Sequence, residues 1–221
     1  MCNRFSLTAD LPDLMEDFRI DRVHIPYSRR YNIAPTQTIP VVQRRGDERC
    51  LDQQRWGLMP FWGKSSVNVD IASLGEKPYL RRMLKNNRCV VPCSGFYIWR
   101  QEGKLRRPWR VVHRKKAIFA MAGLFDVWLD SEKKEFPMCT VITAGYAERS
   151  SDALPLILEE ADIGAWLEPR DIRPDALHSL LRPLRPEELR MYPVTPLMDN
   201  SSYEKPECIR ELDGSFPLIK V

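Results

Sequence analysis

Glycine is scarce in this chain, 10 of 221 residues, and with 43% hydrophobic content that excludes a fibrous repeat and argues against disorder. No run approaches the roughly 18 uninterrupted apolar residues of a membrane span, and the first residues lack the charged-then-apolar layout of an export signal. Histidine is scarcer still, with only His24, His113 and His178, and none sits in a metal-binding pattern. A P-loop, a dinucleotide fingerprint, internal repeats and low-complexity linkers are all missing, so no cofactor and no metal is expected. The expected class is a cytoplasmic monomer whose six cysteines are reduced thiols.

What is present is arginine and lysine, 34 against 30 acidic residues, and they are unevenly spread. The stretches "YSRRYN", "YLRRMLKNNR" and "WRQEGKLRRPWRVVHRKK" interleave cations with aromatic rings. That mixture suits a polyanion, single-stranded nucleic acid in particular, where cations follow the backbone and rings stack on bases. A solvated arginine-rich surface would have the same composition.

The hydropathy pattern reads as α+β. Asp10 precedes Leu11, Leu14, Met15 and Phe18 at helical spacing, which predicts an N-capped helix. "TIPVVQRR" and "CLDQQRWGL" form a hairpin turned at "GDE", and "RCVVPCSGFYIW" continues the strand pattern. "RPWRVVHR", "AIFAMAGLFDVW" and "FPMCTVITA" add further strands, "KPYLRRMLKNN", "EEADIGAWLEP" and "RPDALHSLLRP" read as helices, and "MYPVTPLMDN" returns to extended chain. One domain over residues 1–221, built on a curled, mostly antiparallel, barrel-like sheet with short peripheral helices, is the simplest architecture.

Cys2 carries the most distinctive chemistry. Loss of Met1 leaves a thiol and a free α-amine on one residue. The amine can condense with an aldehyde and the thiol can close on the imine to form a five-membered thiazolidine. The same pair can act as an N-terminal nucleophile with the amine as its own base. Alone, Cys2 is equally a small apolar residue. The C-x₃-C pair Cys89 and Cys93 lacks a second pair, so buried strand cysteines are expected there rather than zinc.

"MCNRFSLT", "RRYNIAPTQ", "RWGLMPFWG", "GEKPYLRRMLKNNRCVVPCSGFYIW", "FAMAGLFDVW" and "MYPVTPLM", in this order, resemble the SOS response associated peptidase family of abasic-site processing proteins. The resemblance implies a single α+β domain that binds single-stranded DNA and captures abasic-site aldehydes through a Cys2 thiazolidine after Met1 is removed. It implies Cys2 and Asn68 as catalytic positions, Asn68 being fixed by counting back from "EKP". Arg4, Pro35, Trp62, Arg81 and Trp99 fall at DNA-facing positions, with Arg82, Arg88 and Arg100 as further cations.

The chain departs from the family pattern at four polar positions. Asp70 stands where the family has arginine, Ile98 where it has the glutamate of Gly-Phe-Tyr-Glu-Trp, Ser151 where it has histidine, and Ala153 where it has a second arginine. Asn3 replaces the usual glycine. Positioned acid and base groups contribute about 10²- to 10⁴-fold, so the implied capture is slowed. Glu76 and Asp152 are the carboxylates conceivable as replacements. Two other readings stay open: a relative that binds DNA without chemistry, and a self-processing peptidase acting through Cys2.

Overall fold

In the computed structural model, residues 3–58, 67–145, 153–172 and 176–212 are described. Cys2, Trp62, Ser151 and Asp152 lie outside them, and so do the "MPFWG" part of the third motif and the start of "RPDALHSLLRP".

Five strands close on one another. They are β4 (Thr38–Arg45), β5 (Glu48–Trp56), β7 (Arg88–Cys93), β10 (Phe119–Leu129) and β11 (Glu135–Ala144). β4 pairs with β5 and β7, β7 with β10, and β10 with β11, all antiparallel; a parallel contact of Met138 and Cys139 with Arg55 and Trp56 joins β11 to β5. Closure removes the open edges of this sheet. Four short strands add to it among the described residues: β2 (Arg22–Val23) on β5, β13 (Ile157–Leu158) on β10, and β6 (Asn68–Asp70) and β12 (Leu154–Pro155) on β11. The β4–β5 turn is Gly46-Asp47, with Gly46 at φ 61, as "GDE" predicted.

The second sheet has the order β14–β9–β8–β1–β3, from β1 (Phe5–Leu7), β3 (Arg30–Ile33), β8 (Gly95–Glu102), β9 (Leu105–His113) and β14 (Leu189–Pro193). Phe5 meets Trp56 edge-on at 5.1 Å, and Phe96 meets Phe119 at 6.4 Å. These T-shaped contacts join the second sheet to the barrel. The smaller core, Tyr97, Tyr192, Val194, Met198 and Cys208, lies on the opposite face of the second sheet, beneath residues 194–209.

The stretch "RCVVPCSGFYIW" is therefore two strands in two sheets, β7 and β8, parting at Ser94. Gly95 is required at this crossing, since a Cβ there would lie 2.9 Å from the buried Arg110 side chain. The chain adopts the predicted helices α1 (Leu11–Phe18), α2 (Pro78–Asn86) and α3 (Glu160–Leu167), while α4 is only Leu177–Leu180. Pro78 opens α2, where its missing N–H costs nothing. Asp10 does not cap α1 with its side chain; Arg29 holds that carboxylate at 2.5 Å instead and lowers its pKa. After β14, "MYPVTPLMDN" leaves extended chain for a 3-10 turn at Pro196–Asp199.

Among the described residues no helix is long and apolar enough to cross a membrane. The cysteines described, Cys50, Cys89, Cys93, Cys139 and Cys208, are buried free thiols.

Arg88 is a correction. Expected among the DNA-facing cations, it is 3% exposed, and its guanidinium donates to the carbonyls of Leu84, Lys85, Trp166, Glu168 and Arg170. It closes the C-terminal ends of α2 and α3, which leave carbonyls unsatisfied. Burial, with Arg170 nearby, brings its pKa down to about 10. Replacing Arg88 by Leu leaves these acceptors without their donor. The expected loss is about 3 kcal/mol or more in urea unfolding, with Arg88→Lys recovering part of it. A loss below about 1 kcal/mol would contradict this role.

Candidate functional site

The site is built where the second sheet meets β6 (Asn68–Asp70), a short strand running parallel to the end of β11. β1 pairs with β8 through Phe5↔Phe96 and Ser6↔Gly95, and the Tyr97 N–H donates to the Arg4 carbonyl at 2.9 Å. Continuing this register sets Asn3 opposite Ile98. From the other side Asn68 Nδ2 donates to Asn3 Oδ1 at 3.4 Å, a long contact. Asn68 thus meets the chain neighbour of Cys2, at the position reached by counting back from Glu76-Lys77-Pro78.

β11 brings two more of the singled-out positions near. Thr143 pairs with Asp70 on one side and with Pro155 of β12 (Leu154–Pro155) on the other, and Ala153 immediately precedes β12. Asp70 has a local structural role: its Oδ1 accepts from the Ala72 N–H and caps the 3-10 turn Ile71–Gly75. Ile98 is half-buried against the main core, so an apolar side chain stands beside residue 3. Glu76 is exposed just after that 3-10 turn.

Arg4 and Trp99 index the other face of the second sheet. Arg4 Nη1 donates to Asn32 Oδ1 (2.7 Å) and the Met198 carbonyl (3.0 Å), and Nη2 to the Asp199 carbonyl (3.0 Å). Trp99 packs on the smaller core, donates Nε1 to Asp199 Oδ1 at 2.7 Å and carries Arg106 over its ring at 5.8 Å. Pro35 sits in the turn between β3 and β4, where Thr36 takes a left-handed φ of 70 and donates its N–H to the Trp56 carbonyl. That turn lies beside the end of β5. Arg81 is exposed on α2, and the neighbouring Arg82 pairs with Asp126 at 2.9 Å.

The histidines are committed elsewhere. His24 pairs with Asp52 at 3.0 Å, and His178 is exposed on α4. His113 Nδ1 accepts from the Lys115 and Lys116 N–H groups, and its pKa is lowered, first by burial and then by Lys116. Among the described residues no cluster of three His, Cys, Asp or Glu side chains could hold a metal ion. A cavity of about 430 Å³ between α1 and α3, lined by Asp13, Phe18, Lys116 and Glu160 among others, shares no residue with this site.

Sequence reasoning did not find the residues that support the site from behind. Asn32 Nδ2 donates to the carbonyls of Met198 (2.9 Å), Asn200 (3.1 Å) and Tyr203 (3.0 Å). Glu204 accepts from the N–H groups of Tyr31 and Asn32, and pairs with Arg30 at 3.1 Å. Only the "RRYN" motif signalled this, without its partners.

The sequence profile of the SOS response associated peptidase family matches residues 1–201. The abasic site processing protein YoqW of Bacillus subtilis (strain 168) is 34% identical over 222 residues, 95% of this chain and 99% of its own length. The abasic site processing protein HMCES of Gallus gallus is 29% identical over 86% of this chain and 68% of its own. Among solved structures, a protein from Bacteroides thetaiotaomicron superposes with a TM-score of 0.81 at 23% identity, over 96% of this chain and all of the other. A phage-related protein from Bordetella bronchiseptica gives 0.72 at 21%, over 87% of this chain and 94% of its own. At these identities the two structures speak to the fold alone.

Replacing Asn32 by Ala removes the clamp on residues 196–204. About 2–4 kcal/mol of stability should be lost, and Cys208, now fully buried, should react with a thiol reagent sooner while Cys89 stays protected. Peptide mass mapping of labelled protein checks this; equal labelling of both thiols would mean only global loosening.

Proposed function

Since the chain belongs to the SOS response associated peptidase family, we propose that it is an abasic-site processing protein that binds single-stranded DNA and captures abasic-site aldehydes through Cys2. With Met1 removed, the α-amine of Cys2 attacks the aldehyde of the ring-opened sugar. Water leaves as the carbon–nitrogen double bond forms. The thiol then adds to the imine carbon, its proton passes to the nitrogen, and a thiazolidine results, with one water lost overall. The lesion carbon is then no longer an aldehyde, so its neighbouring C–H is less acidic and strand breakage by elimination slows.

The observation that carries this reading is the Asn68 Nδ2 to Asn3 Oδ1 hydrogen bond. It supports an amide from the barrel acting beside the N-terminal residue, where it can hold a sugar hydroxyl without adding charge. Ile98 supports a slow version of the chemistry, because no proton can be exchanged by its side chain. Ser151 offers a hydroxyl in place of the family's histidine and titrates far from neutrality.

Ile98 also favours a second reading, a relative that binds DNA without reacting. One experiment separates the two. Protein lacking Met1 is incubated with a single-stranded oligonucleotide bearing one abasic site, from about pH 6 to 9, the span in which α-amine and thiol deprotonate. The first reading predicts a denaturation-resistant band that Cys2→Ala abolishes and Ile98→Glu forms at least about tenfold faster. Salt-dependent binding without any covalent band across that pH range would contradict capture and leave the second reading.

A further inference from the structure

We infer that the outer half of the β8–β9 hairpin is a second nucleotide subsite, in which Trp109 and Arg100 take an unpaired base and its phosphate next to the position opposed by Ile98. This rests on the single-stranded DNA binding proposed above and adds to it Trp109, which no family motif marks, together with a defined place for Arg100.

The register supplies the first argument. Ile98 pairs with Trp109, and Trp109 in turn with Pro193 of β14. Directly opposed residues of antiparallel strands share a face. Asn3, Ile98, Trp109 and Pro193 therefore make one row across the second sheet, and Arg100 and Arg107 make the next. Trp99 stands on the reverse face.

Packing supplies the second. Trp56 and Trp166 are fully buried and Trp99 packs on the smaller core, but Trp109 belongs to neither core cluster. Its neighbourhood is exposed and apolar, with Leu105 at 41% and Met191 at 37% accessibility. The indole is nevertheless oriented: Nε1 donates to Glu102 Oε1 at 3.0 Å, and the Arg100 guanidinium lies 5.0 Å from the ring centre. A half-buried ring fixed by its edge, with an arginine over its face, is the geometry on which an unpaired base stacks.

Charge supplies the third. Glu102 is shared between Trp109 and Arg107, the latter at 3.3 Å, so Arg107 is largely neutralised. Arg100 is exposed and has no carboxylate partner among the described residues; apart from the Trp109 ring its contact is Met191 Sδ at 3.9 Å. A phosphate would be the counter-ion it lacks.

The test measures binding of undamaged single-stranded oligonucleotides by fluorescence anisotropy, so that capture chemistry plays no part. Trp109→Ala should weaken binding about 5- to 100-fold and Trp109→Phe far less, since stacking survives in the smaller ring. Arg100→Ala should lower the slope of log affinity against log salt by about 0.7. Should Trp109→Ala fold poorly, Trp109→Phe decides by fluorescence: it should remove the part of the indole quenching that DNA induces in the parent protein. A well-folded Trp109→Ala that binds like the parent, or unchanged quenching in Trp109→Phe, would overturn the subsite. Failure of the parent protein itself to bind single-stranded DNA would overturn the proposed function instead.

Discussion

The pairing of β1 with β8 is the constraint on which the site depends. Phe5 opposite Phe96 is a core contact, since both rings are buried between the second sheet and the barrel. The strand alternation that puts these rings inward also puts Asn3 and Ile98 on the same face, two residues further along each strand. A slip of β1 by one residue would turn Phe5 outward while β9 keeps Phe96 inward, so the burial that stabilises the fold also holds the register beside Cys2. Residue 3 then lies where the two sheets meet, within reach of Asn68.

The reverse face of the second sheet is organised by polar groups. Asn32, Arg4 and Glu204 fasten residues 196–204 to β1 and β3, largely through backbone carbonyls and N–H groups. Each such bond contributes modestly in net terms, but leaving these buried groups without partners would cost more. Arg4 and Trp99 both end on Asp199, so the cation and ring that the family pattern marks are held by one residue of this segment.

Much of the architecture was legible from period and turn chemistry. Gly46-Asp47 between two alternating runs fixed the β4–β5 hairpin, and Pro78 with Leu80, Met83 and Leu84 fixed α2. What was not legible is non-local. Nothing near "CSGF" says that the chain changes sheets at Ser94, because the residues on either side of it, 90–93 and 95–97, are all buried. Arg88 resembled its neighbours Arg81 and Arg82 in sequence, yet its partners lie as far away as Arg170. Arg4 meets Asp199 across nearly the whole chain.

The candidate site divides in the same way. Asn68 was singled out by counting from a short motif, whereas its contact with Asn3 needs β11 and β1 in place. The place of Trp109 opposite Ile98 could have been read from sequence, because the two-residue turn Gly103-Lys104 sets Glu102 against Leu105 and hence Ile98 against Trp109. Composition alone offered no reason to separate it from the other tryptophans.

Capture at the N-terminal residue is the central claim, and intact mass with peptide mapping tests it most directly. After reaction with abasic single-stranded DNA and nuclease digestion, the account predicts a chain lacking Met1 that carries one sugar-phosphate remnant less one water, with the adduct on the peptide beginning at Cys2. A remnant on a lysine elsewhere, or a chain whose mass is unchanged after prolonged incubation, would contradict it.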